Sequence, residues 1–200
     1  MIAVQPEVSS GSERVGPRSA STVTIMTAVL GTLAMLAFAV VNITFEGTNH
    51  FANGPLAAYS SGLTIMNWLV VGLKLLGAAV LMLSVSKRAN AFAPNVMTLL
   101  LWGAFGTFVI YALGTIGEAV AMATGITGSP DEIDAAGAVY LLGTVFFAAC
   151  FGVVAVAYSR RATWRPIPIM VGILGAPILL AGVLVLVPTL LVAVGIMPPL

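Results

Sequence analysis

The chain has 200 residues, 60% of them apolar and only 8% charged, with a mean hydropathy of +1.09 and a formal net charge of +1. Soluble domains carry roughly 25% charged residues, so eight basic and seven acidic side chains cannot clothe a water-facing surface of this size. The near-neutral balance also excludes the concentrated basic face that nucleic-acid binding requires. What fits is an all-α, polytopic transmembrane helical bundle facing lipid.

Residues 1–20, rich in Ser, Gly, Pro and charge, read as a flexible cytoplasmic tail, and residues 21–200 as the transmembrane domain. Five apolar stretches lie at about 22–44, 61–85, 96–123, 134–158 and 167–196. Each reaches the ~20 residues that a helix rising about 1.5 Å per residue needs to cross ~30 Å of hydrocarbon. In the first, Ala37-Phe38-Ala39 is similar to a signal-peptidase site, but the apolar run continues to Ile43, which suits a retained anchor. Pro94 stands just before the third span. Ser129-Pro130-Asp131-Glu132 is a helix start, with Ser129 as N-cap, Pro130 at the first helical position and Glu132 closing a capping box. Those acids therefore have a structural task. The fifth stretch has no charge and contains Pro177 and Pro188, so a kink or a division into two segments is expected there.

Orientation follows from the basic residues. Arg14 and Arg18 precede the first span, Lys87 and Arg88 lie in the second loop, and Arg160, Arg161 and Arg165 lie around the fourth. The first and third loops carry Glu46, Asp131, Glu132 and Asp134 instead. Seven of eight basic residues thus share one side of a five-span chain, which puts the N-terminus in the cytoplasm, the C-terminus outside, and the protein in the cell membrane.

Two charges fall within spans, Lys74 and Glu118. A charge near the bilayer centre costs about 2.5–3.5 kcal/mol, so such a residue is a functional candidate by default. Lys74 sits ~15 Å from the cytoplasmic end of its span at 1.5 Å per residue, with Asn67 seven residues earlier on nearly the same face. Glu118 is near the outer end of the third span, at the edge of a small-residue side formed by Gly103, Gly106, Gly114 and Gly117. Counted at 1.5 Å per residue, Lys74 and Glu118 differ in depth by roughly 11–18 Å. Direct pairing then needs a favourable tilt, and Asn67 is nearer to Glu118. The expectation is a polar cluster of Asn42, Asn67 and Glu118 in the outer half, with Lys74 below it. The first span has its own packing stripe of Thr24, Thr27, Gly31, Met35, Phe38 and Asn42.

Glu46 and His50 are further candidates in the first loop. A lone His beside a lone Glu is a poor metal site, since zinc takes three or four protein ligands. No metal and no cofactor is expected. Cys150, inside an apolar run, reads as a small packing residue and not as a reactive thiol. No Walker loop, dinucleotide fingerprint, zinc-peptidase pair or hydrolase nucleophile motif is present.

Gly47-Thr48-Asn49-His50, the Lys87-Arg88 turn, the aromatic third span around Trp102, and the stretch from Asp134 to Arg161 together resemble small actinobacterial-type polytopic membrane proteins of unknown function. The resemblance covers residues 24–161, leaves the fifth span unexplained and implies no activity. Three functional readings follow. Short loops, glycine faces and an uncharged fifth span favour an accessory or scaffold subunit packing against a larger membrane complex, its neighbour a membrane protein partner or a second copy. The second is a small binding protein or transporter with a polar site between helices two and three. The third is a membrane-embedded enzyme acting on a lipid or quinone near Glu46 and His50, and catalysis is the minority reading.

Overall fold

The structure, a computed structural model, describes residues 19–53, 56–86, 93–129, 135–162 and 166–199. Arg14, Arg18, Lys87, Arg88 and Arg165, and the acids Asp131, Glu132 and Asp134, lie outside the described residues. So do Pro130 and Glu132 of the expected capping box.

Among the described residues all regular structure is helical: α1 Thr22–Gly47, α2 Ser60–Val85, α3 Pro94–Ala123, α4 Ala135–Arg161, α5 Pro166–Ala181 and α6 Val187–Ala193. Taken with α5 and α6 as one span, five helices are long and apolar enough to cross a membrane. Residues such as Leu30, Leu113, Leu142 and Ile178 point outward on them, as expected where hydrocarbon replaces water as the solvent.

Local chemistry sets the ends. The Ser21 Oγ accepts the Thr24 N–H at 3.2 Å and caps α1. Pro94 opens α3, where its missing N–H costs nothing. Gly125 and Gly195 end α3 and α6 in the left-handed region, at φ 72° and 77°. There the next N–H groups fold back onto Ala121 O and Leu191 O, an arrangement glycine adopts without strain.

The two prolines of the fifth stretch act differently from one another. Pro177 is absorbed inside α5. The irregularity comes ahead of Pro188, where Gly182–Leu186 form a π turn and the Val187 N–H reaches Gly182 O. Proline 188 has no N–H to give Leu184 and its ring crowds that carbonyl; widening the preceding turn relieves both problems. The stretch is therefore one span with an internal defect.

α4 is the centre of the bundle. It packs against α1 on one side and α3 on the other, α2 packs on α1, and α5 packs on α3. Phe151, Val154, Met35, Leu81, Met97 and Leu101 are fully buried between them. Arg161, at the end of α4, donates to Ser84 O near the end of α2 at 3.3 Å and ties those two helices together. The closest helix contacts are made at glycine. A Cβ on Gly172 of α5 would lie 2.8 Å from Leu99 O and 2.9 Å from Gly103 N, both α3 backbone atoms that cannot turn aside. Gly106 meets Ala176 and Ile173 in the same seam. Of the four glycines expected to form the α3 packing face, Gly103 and Gly106 do so, while Gly114 and Gly117 meet open space.

Gly172→Ala is therefore expected to lower the melting temperature in detergent. Its overpacking cost of about 1–3 kcal/mol exceeds the gain of up to ~1 kcal/mol from helix propensity. Gly175→Ala, whose Cβ meets nothing within 4 Å, keeps only the gain and should melt at or above wild type.

Candidate functional site

Asn42 and Glu46 are four residues apart on α1, and Thr64, Asn67 and Lys74 are three and seven apart on α2. Each set therefore shares one helix face, and the two faces meet. The Lys74 Nζ donates to Asn42 Oδ1 and, at 3.2 Å, to Phe38 O. Asn42 Nδ2 donates to Asn67 Oδ1. Asn67 Nδ2 donates to Glu46 Oε1 at 2.8 Å and to Asn42 O at 2.9 Å. Thr64 Oγ1 donates to Glu46 Oε2 at 3.1 Å.

The result is a ladder from a cation to an anion through two amides. An ammonium only donates and a carboxylate only accepts. The two ends therefore fix both amide orientations: each Oδ1 turns toward Lys74 and each Nδ2 toward Glu46. Asn67 is buried, while Asn42, Glu46, Thr64 and Lys74 are half-buried. Lys74 also stands 5.6 Å above the Phe38 ring, a favourable placement for a cation in an apolar setting. No buried side-chain polar atom among the described residues lacks a partner.

The ladder joins two recesses. At its Glu46 end, a pocket of about 390 Å³ lies beside the α1–α2 loop, bounded by Phe45, Glu46, Asn49, Ser60, Ser61 and Thr64 among others. At its Lys74 end, a cavity of about 460 Å³ opens between α2, α3, α4 and α5, with Met35 and Phe38 of α1 closing its base. Its walls are overwhelmingly apolar. The polar side chains on them are Lys74, Thr107, Tyr111, Tyr140 and Thr144. Tyr140 donates to the Tyr111 hydroxyl at 2.7 Å, Thr107 to Gly103 O at 2.9 Å and Thr144 to Leu141 O at 2.8 Å.

Of the residues expected to cluster, Asn42, Asn67 and Lys74 come together, between α1 and α2 and not between the second and third helices. Glu118 is exposed on α3 and takes no part in the ladder. The acid that completes it is Glu46, which α1 carries in its last turn because the helix runs on to Gly47. His50 stacks on Phe45 at 4.6 Å between ring centres and is exposed, with no hydrogen bond to Glu46 among the described residues. Thr64 was not anticipated; its three-residue spacing from Asn67 was the available signal. No group of three or more metal-ligating side chains occurs among the described residues.

Compared with known proteins, the chain matches no family model, no curated protein and no solved structure. The fold and site define it at the level of class: an all-helical bundle with five helices fit to span a bilayer, holding a charged ladder beside an apolar cavity.

The ladder makes Asn67 its critical member. Asn67→Leu should lower the melting temperature in detergent, since hydrogen bonds to charged groups contribute about 1.5–3 kcal/mol each. Glu46→Gln keeps an acceptor for Asn67 and a partner for Thr64, and should cost clearly less.

Proposed function

We propose that this chain is a multi-pass protein of the cell membrane, N-terminus in the cytoplasm, which binds an amphiphile with an apolar tail inside its helical bundle, as a carrier or binding protein. The observation that carries this reading is the cavity of about 460 Å³. Ligand sites are concave, mostly apolar and furnished with a few placed polar groups, at volumes of roughly 300–1,000 Å³. Along α3 the walls run from Leu99 to Tyr111, and along α5 and the π turn that follows it from Val171 to Leu184. At 1.5 Å per residue that is about 18–20 Å, a little more than one leaflet of a ~30 Å hydrocarbon core. The orientation is supported by the one-sided distribution of the basic residues.

The accessory-subunit reading rests on short loops, glycine faces and the uncharged fifth span. Hydrocarbon covers an uncharged span as well as a partner protein does, and Gly103, Gly106 and Gly172 pack within the chain itself. The enzyme reading placed a lipid or quinone near Glu46 and His50, and His50 is exposed and stacked on Phe45. Glu46 accepts from Asn67 and Thr64, as a member of the ladder.

Gly175 lines the cavity, and a Cβ there meets open space. Gly175→Phe should fill the cavity and leave the α3–α5 seam intact. Native mass spectrometry of wild-type protein purified in mild detergent should show a retained amphiphile that Gly175→Phe lacks. Equal retention by both proteins would refute the cavity as the binding site.

A further inference from the structure

The cavity is not uniformly greasy, and its polarity is graded along the bundle. Lys74 Nζ lies level with Phe38 and Asn42, in the half of α1 nearest the α1–α2 loop. Tyr111, in the second half of α3, and Tyr140 and Thr144, in the first half of α4, belong to the same end of the bundle. Toward the opposite end the walls are Val80, Leu99, Leu100, Val171 and the bare backbone of Gly103 and Gly172. An occupant would find polar groups for a head at one end and a hydrocarbon slot at the other.

The donor supply narrows the head group. The hydroxyls of Thr107 and Thr144 are spent on carbonyls of their own helices, and Tyr140 is spent on Tyr111. Lys74 has three N–H donors, of which Phe38 O and Asn42 Oδ1 take two. That leaves the third Lys74 N–H and the Tyr111 O–H among the described residues. Lys74 is also the one charged side chain on the described walls. Its two protein partners are neutral oxygens, and Glu46 is two amides away, so its charge is solvated but not neutralised. A monoanion supplies what is missing. A phosphate monoester brings a charge of about −1.5 to −2 and three acceptor oxygens, more than one ammonium and one hydroxyl can satisfy. A phosphodiester lipid brings a second tail and a polar glycerol that these walls do not serve.

Building on the cavity reading above, we propose that the ligand is a single-chain carboxylate of the fatty-acid class, its head on the Lys74 ammonium and its tail along the Gly103–Gly172 wall.

The test uses the full chain in a neutral, mild detergent, with stearic acid, stearyl alcohol and phosphatidylglycerol offered separately and adducts counted by native mass spectrometry. Stearic acid should bind at least tenfold more tightly than the alcohol. Lys74→Met should remove that preference, and Lys74→Arg should retain it. The comparison of acid with alcohol in the wild-type protein needs no variant to fold. Equal binding of acid and alcohol, stronger binding of phosphatidylglycerol, or acid binding unchanged by Lys74→Met would overturn the head-group assignment while leaving the cavity as a site. Absence of every adduct would overturn both readings.

Discussion

Hydrocarbon offers no hydrogen-bond partner, so every polar side chain inside a membrane-spanning bundle must find one within the protein. That constraint falls hardest on Lys74, whose charge would cost about 2.5–3.5 kcal/mol unsatisfied near the bilayer centre. The ladder is the response, and it does more than relieve the cost. Because its rungs alternate between α1 and α2, it fixes the axial register and the facing sides of that pair. A slide of one helical turn, about 5.4 Å, would break every rung at once. With α2 held this way, the face bearing Val70, Leu73, Gly77 and Val80 is turned to the cavity.

The second half of the bundle is assembled by a different force. α3 and α5 meet through backbone, at Gly172, Gly103 and Gly106. Small residues let helices approach closely enough for dispersion to hold them, and in lipid this substitutes for the hydrophobic effect. The cavity is the consequence of combining the two pairs. α2 is committed to α1, α5 is committed to α3, and the two meet near the α1–α2 loop, where Met197, beyond α6, sits over Gly62. The π turn before Pro188 lies on the path to that closure. What separates α2 from α5 elsewhere is space.

The fold was largely legible from the sequence because its cause is one-dimensional: a run of apolar residues of sufficient length either spans or does not. The site was legible only in part. Asn42, Asn67 and Lys74 stood out because each is costly where it lies. Glu46 did not join them in the sequence reading because the hydropathy of α1 fades before the helix ends, which made a last-turn residue look like a loop residue. Its four-residue spacing from Asn42 was the signal that outranks hydropathy there. Glu118 was drawn into the cluster by counting depth, and depth says nothing about azimuth: a residue at the right height can face outward. The cavity had no signature at all, since an unfilled space belongs to the packing of four helices and not to any one segment.

The form of the ladder bears on what the cavity can hold. A lysine and a glutamate in direct contact would cancel each other and leave the cavity wall nearly neutral. Two amides placed between them change this. Each ion is solvated by dipoles aligned in one sense, and each keeps part of its field for the space beside it, a cation at the cavity and an anion at the loop pocket. The aligned amides strengthen one another as hydrogen bonds in a chain do, so the charges are stabilised without being merged. Occupation of either recess by a charge then changes the energy of the ladder as a whole. A direct ion pair would give up that field at both ends of the ladder.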